Sequence, residues 1–597
     1  MKNFWGSFIG AITGIVVASV ICTIIFLVGM AAILSSAFKD TGSSDRIAIK
    51  ENTVLHLRLD YPVADRTNYN PFASGFSLGD MDTRLGLDDL LATLKYAQAD
   101  KRIKGIFLEL SSVPSGLATL EELRAGLLDF RKSGKFVYTY SDGLSQKAYY
   151  LASASDEIYM HPLGSIDFKG LAAEMIFFRN TLEKLGVEPV IIRPTGNRFK
   201  SAVEPFFLDK ASDANRLQMQ ALLHSMWSKI ANDVSVQTGI SVSQLDKIAN
   251  EYAAYNAANA KQLAMIKDLK YADEMEDHLK QKAGTKEKDD LNLVKVEQYF
   301  KKVERQLKPK GKDKIAIIYA SGNIVSGKGN NSQIGGETFA KTIRDAREDE
   351  SIKAIVLRVN SPGGDALASE LIWREVHLTT GVKPVVVSMG NYAASGGYYI
   401  SCAADTIVAD ETTLTGSIGV FSVLFNIKKL LNDKIGITMD TVKTHRFSDF
   451  PNLGRPFEDQ EKEIFQRQVD DIYTLFLTRV SEGRGLTVSS VDAIAQGRVW
   501  TGTDAKKVGL VDVIGGLQTA VNIAAGMAKL ESYKIVQLPE DNDPFSKFFR
   551  GISASESSDR FIREQIGEEN FRYIEHLKTA KDMKGIQAML PFMVEIY

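Results

Sequence analysis

"IKGIFLEL" at residues 103–110 and "IKAIVLRV" at 352–359 are one element written twice, 249 positions apart. Each is a short run of apolar and β-branched residues without helical periodicity, which predicts a strand buried on both faces of a parallel sheet. The repeat extends outward from it. "TVLHLRL" (53–59) and "KIAIIYASG" (314–322) read as strands opening the two copies. A helical pattern follows the quoted strand each time, "LATLEELRAGLLDFRKSG" in one copy and "LASELIWREVHLTTG" in the other, and then a further strand, "KFVYTY" (135–140) or "KPVVVSM" (383–389). "YYLASASDEIYMHPLGSI" (149–166) and "YYISCAADTIVADETTLTGSI" (398–418) hold the same offset until three extra residues enter the second copy, and "AKQLAMIK" (260–267) answers "AKKVGLVD" (505–512). One offset held across several elements marks an internal duplication. Strands alternating with helices predict an α/β chain of two tandem domains, 53–310 and 311–540. The charged stretches "AGTKEKDDLN" (283–292) and "KPKGKDK" (308–314) read as a solvated linker between them.

At 597 residues the chain is too long for a single core, which agrees with two domains. Its net charge of -2 argues against nucleic acid as a partner. Two cysteines, Cys22 and Cys402, provide no disulfide framework, and the seven histidines show no HExxH spacing, so no metal or organic cofactor is expected.

The N-terminus carries a different signal. No charged residue occurs from Asn3 to Phe38, and the apolar run 8–34 exceeds the roughly 20 residues that cross a bilayer. A cleaved signal peptide is the alternative, with "SSA" (35–37) as its cleavage site, but such a leader has an apolar core of only about 7–15 residues. Residues 1–38 are therefore expected to be a retained transmembrane anchor. Lys2 before the run favours a cytoplasmic N-terminus and a catalytic region on the extracytoplasmic side. At the other end, 541–597 form a polar extension closing on "IQAMLPFMVEIY" (586–597), read as a strand or tail packing on its own domain or on a neighbouring subunit.

The copies differ where chemistry would sit. In the second, "VNSPGGDA" (359–366) follows a strand with a twin-glycine turn whose amides can point outward, and "SMGNYAASGGYY" (388–399) places Ser395 between a strand and a helix. In the first, "SSVPSGLA" (111–118) lacks the glycine pair, and Gln146 and Lys147 stand opposite Ser395 and Gly396. A serine nucleophile needs a base. His377 and His445 are the nearest histidines in the second copy, in no recognisable triad arrangement. "GNRFKSAVEPF" (196–206) of the first copy matches "THRFSDFPNL" (444–453) of the second, with Ser448 in place of Lys200. One copy thus holds a lysine that the other lacks, and the other a serine that the first lacks. Together they can form a Ser395–Lys200 dyad. Lys200 must then be buried, because at a reference pKa of about 10.4 it would be almost wholly protonated at pH 7. Its other reading is an ordinary solvated surface lysine.

"NSPGG", "AASGGYY", "LTGSIGV" (414–420), "FKSAVEPF" and "GRVWTGTDAKKVGLVDVIGG" (497–516), in that company, resemble the signal peptide peptidase A (protease IV) family. The resemblance covers both copies and the anchor. It implies a Clp-protease/crotonase-like fold and a membrane-anchored serine peptidase that degrades cleaved signal peptides, with Ser395 as nucleophile and Lys200 as general base. It further implies an oxyanion hole from the backbone amides of Gly363 or Gly364 and of Gly396, a homotetramer, and, in a bacterium, location in the inner membrane facing the periplasm. Peptides are expected to bind extended, adding a strand beside the glycine turn. The competing readings are a crotonase-like acyl-CoA enzyme, which calls for carboxylates at the site, and a non-catalytic membrane scaffold.

Overall fold

The computed structural model describes residues 49–67, 84–286, 288–307, 311–330, 332–539 and 585–590, with three isolated positions at 19, 21 and 24. The expected anchor therefore lies outside the described residues, as does most of the C-terminal extension. Among the described residues no helix is long and apolar enough to cross a membrane. The described residues from Asn52 onward form one compact unit.

Each copy builds a parallel sheet, and the two sheets repeat each other strand for strand. In the first the order is Asp268–Leu269, Glu157–Met160, Phe136–Ser141, Ile103–Glu109, Thr53–Arg58, Leu293–Lys295. In the second, Val513–Ile514, Thr406–Ala409, Val385–Ala394, Ile352–Ser361, Lys314–Ser321 and Lys534–Leu538 follow in the same order. Leu414–Gly416 and Val499–Thr501 are added at the far end of the long Val385–Ala394 strand.

The apolar runs quoted above are central strands whose successive side chains enter opposite cores. Ala316, Ile318 and Ala320 meet Leu357 and Val387 under the helices Ala366–Thr380 and Asp459–Arg484, whereas Ile315, Ile317 and Val356 pack on the helix Leu517–Met527. Burial on both faces explains why these strands read as continuous rather than alternating hydrophobic runs.

A third sheet ties the copies together. Its order is Gln333–Gly335, Asn323–Val325, Gly363–Asp365, Ile586–Met589, Phe421–Asn426, Glu188–Ile192. The last strand belongs to the first copy by sequence and pairs antiparallel with Phe421–Asn426 of the second, Ser422 opposite Ile192 and Asn426 opposite Glu188. Residues just after 192 are thereby delivered into the second copy.

The copies also meet through a buried ionic cluster. Arg358, wholly buried, donates to Asp65 (2.8 Å), Glu122 (2.7 Å) and the Ser388 hydroxyl (2.9 Å). Glu122 accepts in addition from the Leu517 amide at the start of its helix (2.7 Å). The first copy's turn 111–118 docks here as well. Asn391 accepts from the Thr119 amide and donates to its hydroxyl, and a Cβ at Gly116 would lie 2.2 Å from the Asn391 oxygen. The turn without the glycine pair thus serves as an inter-copy contact.

Candidate active site

Ser395 occupies the junction between the strand Val385–Ala394 and the helix Gly396–Ser401, at φ 54 and ψ -112. A side chain at positive φ is strained, and the surroundings enforce it: the Ser395 amide donates to Gly416 O (2.8 Å) while its carbonyl accepts from the Tyr399 amide (2.8 Å). The hydroxyl is wholly buried.

Lys200 arrives from the first copy on the chain that leaves the Glu188–Ile192 strand. Its backbone is fixed by Asn197, whose side-chain oxygen accepts from the Lys200 amide (3.0 Å), and by a bond from the Phe199 amide to Gln496 O (2.9 Å). Its Nζ lies 2.8 Å from Ser395 Oγ, 3.0 Å from Ser417 Oγ and 3.2 Å from Ser417 O. Ser395 Oγ is also 3.2 Å from Gly419 O. Among the described residues, no carboxylate is hydrogen-bonded to Ser395 or Lys200. Lys200 is wholly buried, and burial holds its pKa well below the usual lysine range. The solvated-lysine reading does not describe it.

The glycine turn closes the other side. Gly363 and Gly364 have φ of 101 and 155, and a Cβ at Gly364 would lie 2.0 Å from Ile324 O. The Gly363 amide donates to Ser361 Oγ (3.1 Å), and the other two expected oxyanion donors, Gly364 and Gly396, lie side by side. Their backbones converge: a Cβ built at Gly396 would be 3.1 Å from the Gly364 nitrogen.

The two histidines lie elsewhere in bonding terms. His377 stacks on Trp373 at 5.1 Å, and His445 pairs with Thr444 in an exposed segment. In the first copy Gln146 is buried where the serine would stand. Its side chain accepts from the amides of Lys169 (3.0 Å) and Gly170 (2.9 Å) and donates to Gly170 O (2.9 Å), so a neutral amide holds the loop together there.

Two contributors were not singled out from the sequence. Ser417 lies inside "LTGSIGV" and also has a positive φ, 49. Gly497 opens the "GRVW" motif at φ 80, and a Cβ there would lie 2.6 Å from both the Lys200 nitrogen and Cβ. Their presence in quoted motifs was the available signal. Gly497→Ala should push Lys200 from its place and lower kcat about 100-fold in a chain that still folds, since misplacement of a reacting group by about 1 Å has that effect. Steady-state kinetics with a circular dichroism control measures it.

The model of peptidase family S49 matches residues 129–286 and 377–531, one segment in each copy. "Protease 4" of Haemophilus influenzae is 34% identical over 529 residues, 86% of this chain and 84% of that protein. "Serine protease SPPA, chloroplastic" of Arabidopsis thaliana is 35% identical over 505 residues, covering 83% of this chain and 72% of its own. "Protease 4" of Salmonella typhi is 36% identical over 458 residues, 75% of this chain and 73% of its own. With a match in each copy and relatives named as proteases matched over most of their length, the chain belongs to peptidase family S49 and is a serine peptidase.

Proposed function

We propose that this chain is a membrane-anchored endopeptidase working by a Ser395–Lys200 dyad on cleaved signal peptides and similar extended peptides. The observation that carries the reading is the 2.8 Å approach of a wholly buried lysine from one copy to a wholly buried serine of the other. A neutral amine has two N–H groups and one lone pair. Three partners surround Nζ, so the lone pair can face the Ser395 hydroxyl while the two N–H groups bond Ser417 Oγ and O. Lys200 then removes the hydroxyl proton as Oγ forms its bond to the scissile carbonyl carbon. The oxyanion rests on the Gly364 and Gly396 amides, and the lysine ammonium gives its proton to the leaving amine. A water molecule, deprotonated by the same lysine, releases the acyl-enzyme.

Both copies fit the Clp-protease/crotonase-like plan in having parallel strands followed by a turn and a helix. The signal-peptide substrate class is supported by the family resemblance. So is the inner-membrane, extracytoplasmic location, together with the apolar run 8–34. A homotetramer finds support in the duplication itself. The first copy's segment around Lys200 lies against a second-copy strand, while its sequence counterpart 444–453 is largely exposed, with Val442 and Met439 just before it open to solvent. An exposed segment of this kind supports a head-to-tail contact with another copy of the chain. Mass measurement of the detergent-extracted protein should give four chains, each retaining its N-terminal peptide. Monomers, or chains starting near Phe38, overturn these two points.

The dyad is tested by pH. Activity requires the neutral amine, so kcat/KM should rise with pH through a pKa well below the free-lysine value of about 10.4 and be lost as pH falls through it. Labelling of Ser395 by a fluorophosphonate should follow the same curve. Stability has the matching sign. Between the lowered folded value and about 10.4 the unfolded chain binds the extra proton, so stability rises with pH across that window. A labelling rate that stays flat from pH 5 to 10 would exclude Lys200 as the base.

A further inference from the structure

Buried polar groups without partners gather beside Lys200. Ser201 Oγ, Asn215 Oδ1 and Gln218 Nε2 have no hydrogen-bond partner among the described residues, although these residues are only 2%, 3% and 1% exposed. Such atoms are rare, because a polar group kept from water and left unpaired costs stability. Neither amide can be turned to cure this. Asn215 Nδ2 donates to Glu204 Oε2 (3.0 Å) and to Met175 Sδ (3.4 Å), so its oxygen is the free end. Gln218 Oε1 accepts from the Val499 amide (2.8 Å), so its NH2 group is the free end. One short ring of contacts encloses the three atoms. Ser201 and Glu204 stand three residues apart on the tight turn that follows Lys200, where side chains at that spacing eclipse. Glu204 bonds Asn215, and Asn215 and Gln218 share a face of the helix Asp213–Thr238. Gln218 in turn holds Val499, two residues from the Gly497 that packs on Lys200.

We infer that Ser201, Asn215 and Gln218 form a binding site for one internal water molecule, seated between the turn that carries the general base and the helix behind it. The three groups are the complement of a water: an N–H of Gln218 to donate, the Asn215 oxygen to accept, and a hydroxyl that does either. Buried waters typically make about three such bonds. Beyond Lys200 the turn is tied to the helix through Glu204, which accepts from Ser212 Oγ (2.6 Å), the Ser212 amide (3.2 Å) and Asn215 Nδ2. A water bonded to Ser201 adds a second tie, one residue from the base. Ser201, Asn215 and Gln218 are thereby positioning residues for Lys200, a consequence that rests on the dyad reading of Ser395 and Lys200.

Ser201→Ala in the full chain tests the site by the sign of a shift. If the hydroxyl bonds a water, removing it loses a buried hydrogen bond and the Tm falls. A hydroxyl with no partner is better replaced by an apolar side chain, so an unchanged or raised Tm overturns the site. Gln218→Met should lower the Tm as well, in part through the lost Val499 bond. The double variant should then lose less than the sum of the two, because both side chains hold one water without bonding each other; additive losses overturn the site. Diffraction from crystals of the unmodified protein should show a solvent peak bonded to all three atoms, and a direct bond between two of them overturns the site too. Kinetics tests the positioning. In Ser201→Ala, kcat for a fluorogenic peptide should fall about tenfold with KM unchanged, since small displacements of a reacting group are costly. A kcat at the level of the unmodified chain overturns the positioning role. The Tm comparison should keep its sign in a Ser395→Ala background, where no turnover is needed. Turnover that survives Lys200→Met overturns the dyad and leaves the water site standing.

Discussion

Lys200→Met should abolish peptide hydrolysis as completely as Ser395→Ala, each lowering kcat by roughly four to six orders of magnitude. Methionine fills the volume of the buried stem but has no basic lone pair for the Ser395 hydroxyl, 2.8 Å away. Without a base the alcohol is a poor nucleophile, and without the alcohol the base has nothing to activate. The double variant should therefore be scarcely worse than either single one, because groups acting as a unit are far from additive. Stability should move the other way. An amine kept from water is replaced by an apolar side chain, so Lys200→Met should hold or raise the Tm. Ser417→Ala should weaken turnover more mildly, since Ser417 only holds Nζ in place. Kinetics and calorimetry on the same preparations separate the two effects. Turnover above a tenth of wild type in Lys200→Met would place the base elsewhere.

The second large effect concerns the joint between the copies. Arg358→Met should destabilise the protein by about 3–5 kcal/mol, the usual result of removing one partner from a buried ionic cluster. Asp65 and Glu122, both almost fully buried, would lose the guanidinium that each is paired with. Asp410 stands close by, its pKa raised well above the usual carboxylate range by burial and by the carboxylates of Glu122 and Glu121. A Tm lower by about 5–10 °C is expected. The triple variant Asp65→Leu, Glu122→Leu, Arg358→Met should recover much of the loss, because apolar side chains of similar size remove the unpaired charges as well. If Arg358→Met melts like wild type, the cluster does not hold the copies together.

The repeat was legible because a duplication leaves a fixed offset in the sequence, and the six-strand order common to both sheets follows from it. The placement of Ser395 between a strand and a helix followed from the glycines behind it. Lys200 could be singled out because the two copies differ in complementary ways, a comparison within one chain that needs no alignment. Close approach was not legible. Nothing in "GRVW" says that Gly497 must lack a side chain because Lys200 passes 2.6 Å from where one would be. Nor does the sequence boundary near 310 coincide with a boundary in space, since Glu188–Ile192 finds its partner at Phe421–Asn426. The destination of "IQAM" was equally hidden. Four apolar and polar residues after a glycine read as a strand, but strand pairing is non-local and its partner is not encoded nearby.

The pairing of Glu188–Ile192 with Phe421–Asn426 also has a kinetic consequence. Because the serine and the lysine ride on one polypeptide, their meeting is a first-order event of folding, independent of protein concentration. Dilution that separates neighbouring chains cannot separate this pair, and the specific activity of a detergent-dispersed preparation should not fall with dilution for want of a base. The same arrangement sets an expected stoichiometry: on the proposed Ser395–Lys200 pairing, a covalent serine reagent should titrate one equivalent per chain.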